Sequence, residues 1–346
     1  MSTRPEEPWK RMSSDPSLLT RIDGRAGRMV MNRPPSLNAI DLPMIRALTR
    51  ILLEWRDDPA VQLVIIEGAG GRAFCAGGDI VALREDAMAG RTDAVESFFA
   101  EEYELNKLIA AYPKPYLSLI DGVCMGGGIG VSIYGPYRVA TEHAMFAMPE
   151  TIIGFFPDIG GSYFLPRLPG ELGSYLGLTG ARVRGADSVR AGFATHYVPR
   201  ARMAELSTAL AADGAGALGA FSEALPDGTL AAERPAIDRI FAGDDVQAIV
   251  ARLEAEGSDW SRATQKLLGG VSPSACVWSL RALRAGARLD LAACLAMELR
   301  MTRVITRHPD FIEGVRAMLV DKDRTPKWTP ATLREVQAAE IDRVFT

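Results

Sequence analysis

The chain reads as an α/β protein that passes into a mainly helical C-terminal region. Three observations carry that reading. From Arg28 to Val320 short apolar runs alternate with longer amphipathic ones, as strands interleaved with helices require. Twice a buried-type strand enters a glycine-rich turn and then a helix: VQLVIIEG at 61–68, followed by glycines to Gly71, and PYLSLID at 115–121, followed by GVCMGGGIG at 122–130. Beyond about residue 235 the periodicity is helical almost throughout.

Taken in order, Gly24 and Arg25 mark a hairpin turn into a strand over Arg28–Met31, and the spacing predicts a helix over Leu42–Asp57. After the two glycine-terminated strands, residues 161–180 read as one helix, and DGAGALG at 213–219 reads as a boundary or a loop. Helices follow over about 235–256, 260–268, 273–307 and 310–320. The first 17 residues mix charges and prolines without the apolar centre of a signal peptide, so they read as a loose tail. This divides the chain into a tail (1–17), a core (18–205) and a helical cap with a role in oligomerisation (206–346). With 346 residues, 48% of them hydrophobic, one to two domains with a large core are expected.

Composition also narrows function. A net charge of −4 leaves no electrostatic footprint for nucleic acid or an anionic membrane. No apolar run approaches the roughly 20 residues needed to cross a bilayer. Cys75, Cys124, Cys276 and Cys294 form no CxxC pair, and only three histidines accompany them, so neither a zinc site nor a disulfide scaffold is indicated. Reduced, mostly buried thiols and a cytoplasmic location are expected.

The segment MPETIIGFFPDIGG, residues 148–161, places Glu150 and Asp158 among apolar residues, Thr, Gly and Pro. A carboxyl group partly withdrawn from water has a raised pKa and can act as acid, base or nucleophile near neutral pH. Gly154 and Pro157 interrupt any helix between the two, so the fold has to bring them together. A helix-start Glu and a turn Asp account for the same text equally well. The runs AFCAGGDI (73–80) and MGGGIG (125–130) allow a ligand close to the backbone, and two such segments could each aim an N–H at one oxygen, as an oxyanion hole requires. Tight turns and close helix packing are the plain alternative. GGGIG is not followed by GKS or GKT, and no GxSxG is present, so nucleotide and serine-hydrolase readings fail. His143, His196 and His308 sit in unremarkable contexts.

In combination, NRPPSLNAID (32–41), AFCAGGDI, GVCMGGGIG and FAMPETIIGFFPDIGG (146–161) resemble the crotonase, or enoyl-CoA hydratase/isomerase, superfamily over roughly residues 18–205. The resemblance implies a crotonase-like spiral of ββα turns, an acyl-CoA thioester substrate and an oxyanion hole for the thioester oxygen. By motif match the donors are the backbone N–H of Ala76 or Gly77 and that of Gly127. Gly130 stands where the family's hydratases carry a Glu, and Asp158 where they generally carry a small residue. EEYELNKLI (101–109), the carboxylate segment and DFIEGVRAMLVDKDRTPKW (310–328) look like the branch that hydrolyses 3-hydroxyisobutyryl-CoA. That likeness implies Glu150 and Asp158 as catalytic residues, and Glu102, Gly78, Asp79 and Gly126 as substrate-binding residues. It implies hydrolysis of a short branched 3-hydroxyacyl-CoA in valine catabolism, with no metal or prosthetic group, CoA being part of the substrate. Enoyl-CoA hydration or isomerisation is the alternative reaction, and a non-catalytic acyl-CoA-binding scaffold the alternative class. An acyl-CoA partner and a homo-oligomer are expected.

Overall fold

A computed structural model describes residues 16–346. The tail expected over residues 1–17 lies outside the described residues except for its last two. Strands β1 (Leu18–Asp23) and β2 (Ala26–Met31) form the expected hairpin. They are followed by helix α1 (Leu42–Asp57), whose start is fixed by Asp41 accepting from the Met44 N–H at 2.9 Å. Next come β3 (Leu63–Gly68), β4 (Ala73–Cys75), α2 (Ile80–Met88), α3 (Thr92–Ala110), β5 (Tyr116–Ile120), β6 (Val123–Met125), the single turn α4 (Gly127–Gly130), β7 (Tyr137–Ala140) and β8 (Met145–Ala147). Two-residue strands β9 (Val183–Arg184) and β10 (His196–Tyr197) complete the set.

From β3 to β8 successive strands alternate between two sheets. One runs β1-β2-β3-β5-β7-β10 and the other β4-β6-β8-β9. Each turn of the chain therefore lays one strand on each sheet before a helix returns it, which is the ββα spiral expected from the resemblance. In the smaller sheet β4, β6 and β8 are parallel neighbours, so their C-terminal ends emerge side by side. Those ends lead into Ala76–Asp79, Gly126–Gly127 and Met148–Glu150 respectively. Three motifs distant in sequence thus meet at one edge, the side of a parallel sheet where ligands bind.

The helical regions are more interrupted than the periodicity predicts. Residues 161–180 form a short helix at Gly161–Phe164, a 3₁₀ turn at Leu165–Arg167 and a helix at Leu172–Thr179. Pro166 and Pro169 each lack an N–H to continue the ladder, and Gly170 turns at φ +55°. The helix expected over 235–256 is two, Leu230–Ile240 and Val246–Glu256, parted at Gly243 with φ +87°. That over 273–307 is also two, Pro273–Gly286 and Leu291–Ile305, the second begun by Asp290 capping the Ala293 N–H. The last, Pro309–Val315, continues as a π turn over Arg316–Val320, and DGAGALG lies largely in a 3₁₀ helix, Ala215–Ala220. The main apolar cluster runs from Leu18 to Val344 and packs these helices against the spiral.

Candidate active site

The site begins with the burial of three acids. Glu102, Glu150 and Asp158 are only 2%, 7% and 6% exposed. Helix α3 explains the first. Its buried face carries Phe98, Phe99, Glu102, Tyr103, Leu105, Asn106 and Ile109, so an acid occupies a position that periodicity assigns to the core. Glu101, one residue earlier, is turned outward to Arg46. Glu150 follows β8 as the first residue of the 3₁₀ turn Glu150–Ile153, which Gly154 ends at φ +68°. Asp158 lies beyond that turn and accepts from the Tyr103 hydroxyl at 2.9 Å. Phe155 stacks on Phe99 at 5.6 Å and packs against Phe311 at 5.5 Å, a dry wall that ties α3, the carboxylate segment and the helix Pro309–Val315 together. Each such pair adds about 0.5–1.5 kcal/mol beyond its buried area.

This apolar setting raises every acid in it. Burial pushes Asp158 up to about 7, against the opposing pull of the Tyr103 hydroxyl. Burial raises Glu150 well above the usual carboxyl range, and the charge of Asp158 and then of Glu102 adds to it. Glu102 is raised well above that range too, by burial and by Asp158. Among the three, Asp158 alone has a side-chain donor to stabilise its charge. Glu102 Oε1 and Glu150 Oε2 have no protein partner, nor does either end of the fully buried Asn106 amide.

The glycine segments lie against these acids. A Cβ at Gly126 (φ +47°) would sit 3.0 Å from Glu150 Oε1. One at Gly127 would sit 2.6 Å from Glu102 Oε1 and 3.4 Å from the Gly78 nitrogen. The N–H of Ala76 is not available as a donor, because it bonds the Leu37 carbonyl at 3.0 Å. This corrects the expectation at that residue: Leu37, itself left-handed at φ 53°, reaches over and engages it. The N–H groups of Gly77, Gly78 and Gly127 have no such backbone acceptor. Gly78 is held by Ile40, which donates to the carbonyl of Gly77 and accepts from the N–H of Asp79, so the Gly78 N–H is not used in this bridge and its nitrogen lies 3.4 Å from where a Cβ of Gly127 would be.

Asp79 is engaged otherwise. Its carboxylate caps α2 at Ala82 and pairs with Arg33 at 3.0 Å, so both belong to the frame. At Gly130 a Cβ would lie 3.0 Å from the Asn106 amide nitrogen and 3.1 Å from Ile159 Cβ, so any side chain there is crowded. The four cysteines are free and buried, and no group of three or more His, Cys, Asp or Glu residues among the described ones is arranged to hold a metal. His308 caps the helix Pro309–Val315, as a helix-end residue would. Tyr103, Asn106 and Glu298, which contacts the Asp158 segment, were not evident from motifs. Glu298 had one available sign, an acid between the apolar residues of AMEL.

A parallel-strand edge that gathers three buried acids and two glycine segments is the frame of an acyl-thioester enzyme of the crotonase type. The chain belongs to the enoyl-CoA hydratase/isomerase family, whose sequence profile matches residues 26–345. It is 45% identical over 341 residues, 95% of this chain and 88% of the relative, to the mitochondrial 3-hydroxyisobutyryl-CoA hydrolase of Xenopus tropicalis. With that of Homo sapiens it shares 42% over 340 residues, 95% of this chain and 88% of the relative. Among solved structures, a carnitinyl-CoA dehydratase from Mycobacterium thermoresistibile superposes with a TM-score of 0.92 at 40% identity, covering 96% of this chain and 97% of that one. An enoyl-CoA hydratase from Rhodobacter sphaeroides gives 0.90 at 39% identity, with 95% and 97% covered.

Proposed function

We propose that the chain hydrolyses a short branched 3-hydroxyacyl-CoA thioester, foremost 3-hydroxyisobutyryl-CoA, to the 3-hydroxy acid and CoA. The observation that carries this reading is the pairing of Glu150 with a closed position at Gly130. Glu150 lies beside the glycine turn with Oε2 unpartnered, while a Cβ at Gly130 would press on Asn106 and Ile159. A hydratase of this family handles water with a second acid at that position, and here the residue is glycine in a crowded setting. The curated relatives named above support the same reaction.

In the mechanism the thioester oxygen sits between the N–H groups of Gly78 and Gly127, with Gly77 adjoining. Two such donors stabilise the charge that develops there. Glu150 either attacks the carbonyl carbon, giving an anhydride that water then opens, or takes a proton from water that attacks directly. In both, a C–O bond forms, the C–S bond breaks and CoA leaves as its thiol. Asp158, oriented by Tyr103, accepts a hydrogen bond from the 3-hydroxyl, and Glu102 and Gly126 shape the acyl pocket. A buried acid built for a hydroxyl rejects a substrate that lacks one, because the acid is then left unpaired. No metal or prosthetic group enters this scheme. The role in valine breakdown, the homo-oligomer with residues 206–346 as cap, and the cytosolic location stand as parts of the same proposal. No described helix is long and apolar enough to cross a membrane. Cell fractionation and sedimentation test the last two parts.

The deciding assay is thiol release from 3-hydroxyisobutyryl-CoA against loss of enoyl absorbance from crotonyl-CoA. Absorbance loss without thiol would turn the reading to hydratase, and tight binding of several esters without turnover would turn it to a scaffold. Asp158→Ala is expected to lower kcat/KM on the 3-hydroxy ester by about 10²-fold or more, and on isobutyryl-CoA far less. Equal losses on the two esters would remove the assigned role.

The raised acids also set a pH dependence. Asp158 titrates near 7 in the folded chain, against about 3.9 when unfolded. The native state therefore holds the extra proton between those values. Its contribution to stability is full below about pH 4 and is lost as pH rises through about 7. Activity runs the other way, since Glu150 works ionised. The acidic limb of kcat/KM is expected well above the ordinary carboxyl range, and a limb near pH 4.5 would contradict the buried site.

A further inference from the structure

The turn that follows Asp158 is held in a shape its own residues disfavour. Ile159 has φ +52°, the left-handed region in which a β-branched side chain is strained, and Gly160 continues at φ +79°. The turn starts at Asp158 itself, whose carbonyl accepts from the Gly161 N–H at 2.7 Å. Two side chains from elsewhere impose the conformation. The Tyr134 hydroxyl donates to the Ile159 carbonyl at 2.6 Å. Glu298, on the helix Leu291–Ile305, accepts from the Gly160 N–H at 2.7 Å with one oxygen, and from the Ser162 N–H at 2.9 Å and the Ser162 hydroxyl at 2.6 Å with the other.

Glu298 is completely buried. Burial pushes it up to about 8, with Asp158's charge adding to the rise and the Ser162 hydroxyl opposing it. An apolar side chain of similar size would leave the N–H groups of Gly160 and Ser162 without this acceptor, so the acid is what satisfies the turn. Its contacts all fall on the two residues that complete the turn behind Asp158, where strain persists only if the surroundings over-determine it.

We propose that Glu298 is a positioning residue for Asp158. By gripping the amides of Gly160 and Ser162 it keeps Ile159 left-handed, and so holds the Asp158 carboxylate against the Tyr103 hydroxyl and towards the 3-hydroxyl of the acyl group. The inference rests on the hydrolase reading and deepens it: selectivity for a hydroxylated acyl chain is enforced from the C-terminal helical region.

Glu298→Gln tests this, because wherever the amide NH₂ lies it faces an N–H donor. Wild type, Glu298→Gln, Asp158→Ala and the double variant are compared on 3-hydroxyisobutyryl-CoA and isobutyryl-CoA, with melting curves to establish folding. We expect Glu298→Gln to lose about 10–100-fold in kcat/KM on the hydroxylated ester, the scale of a small misplacement, and much less on isobutyryl-CoA. In the Asp158→Ala background the second change should add little, since both act through one group. Equal losses on the two esters, full additivity in the double variant, or wild-type kinetics in a folded Glu298→Gln protein would each overturn the proposal. Should Glu298→Gln fail to fold, Tyr134→Phe removes the other tether and is judged on the same two esters: selective loss supports the inference, equal or no loss overturns it. Wild-type protein that releases no thiol from either ester would overturn the hydrolase reading and this inference together, which separates that failure from the others.

Discussion

Replacing Glu150 by Gln is expected to abolish thiol release from 3-hydroxyisobutyryl-CoA, by about 10³-fold or more, while the ester still binds. The amide has nearly the shape of the acid but neither attacks a carbonyl nor takes a proton from water. Folding should not suffer. Glu150 sits where burial and the charge of Asp158 already oppose ionisation, so a neutral amide relieves the site of a group it tolerates poorly. Thiol release under saturating substrate, with ester binding followed by calorimetry, checks both halves. Turnover above a tenth of the wild-type rate would take Glu150 out of the chemistry.

The second large effect comes from a single carbon atom. Gly127→Ala would set its Cβ 2.6 Å from Glu102 Oε1 and 3.4 Å from the Gly78 nitrogen, in the gap where the thioester oxygen would lie. The N–H of residue 127 survives the change, but its approach to the oxygen does not. A loss of about 10²–10³ in kcat is expected, the cost of removing one oxyanion donor, since neither donor can be reached with the methyl group in place. Gly219 is the control, because an added Cβ there meets nothing within 4 Å. If Gly127→Ala and Gly219→Ala turn over alike, the donor pair is wrongly placed.

Much of this site was legible in the sequence because it is written in contiguous segments. Glu150 and Asp158 stand out as acids in an apolar run, and the glycine runs as places without side chains. Their meeting could be inferred from the family resemblance, and the parallel order β4, β6, β8 supplies the physical reason. What the text hides is which way a backbone group points. Ala76 and Gly78 are both small, yet Leu37 engages the N–H of one while that of the other has no backbone acceptor. Partners far away in sequence are hidden for a different reason. Glu298 grips a turn 136 to 138 residues earlier, and no local pattern records that. Helix breaks were missed where periodicity continued across Gly243 or through Pro166 and Pro169, because apolar spacing reports which face is buried and not whether the ladder is continuous.

The glycine turn after β6 has a consequence for inheritance. A Cβ at Gly126, Gly127 or Gly128 would meet Glu150, Glu102 or the Cys75 carbonyl at 3.0, 2.6 and 2.3 Å. Any missense change in these codons adds at least that carbon, so no conservative allele exists for them. Variation in this stretch is expected to be confined to synonymous bases, whereas Glu102 and Glu150 opposite each retain an isosteric neighbour, Gln, one base away.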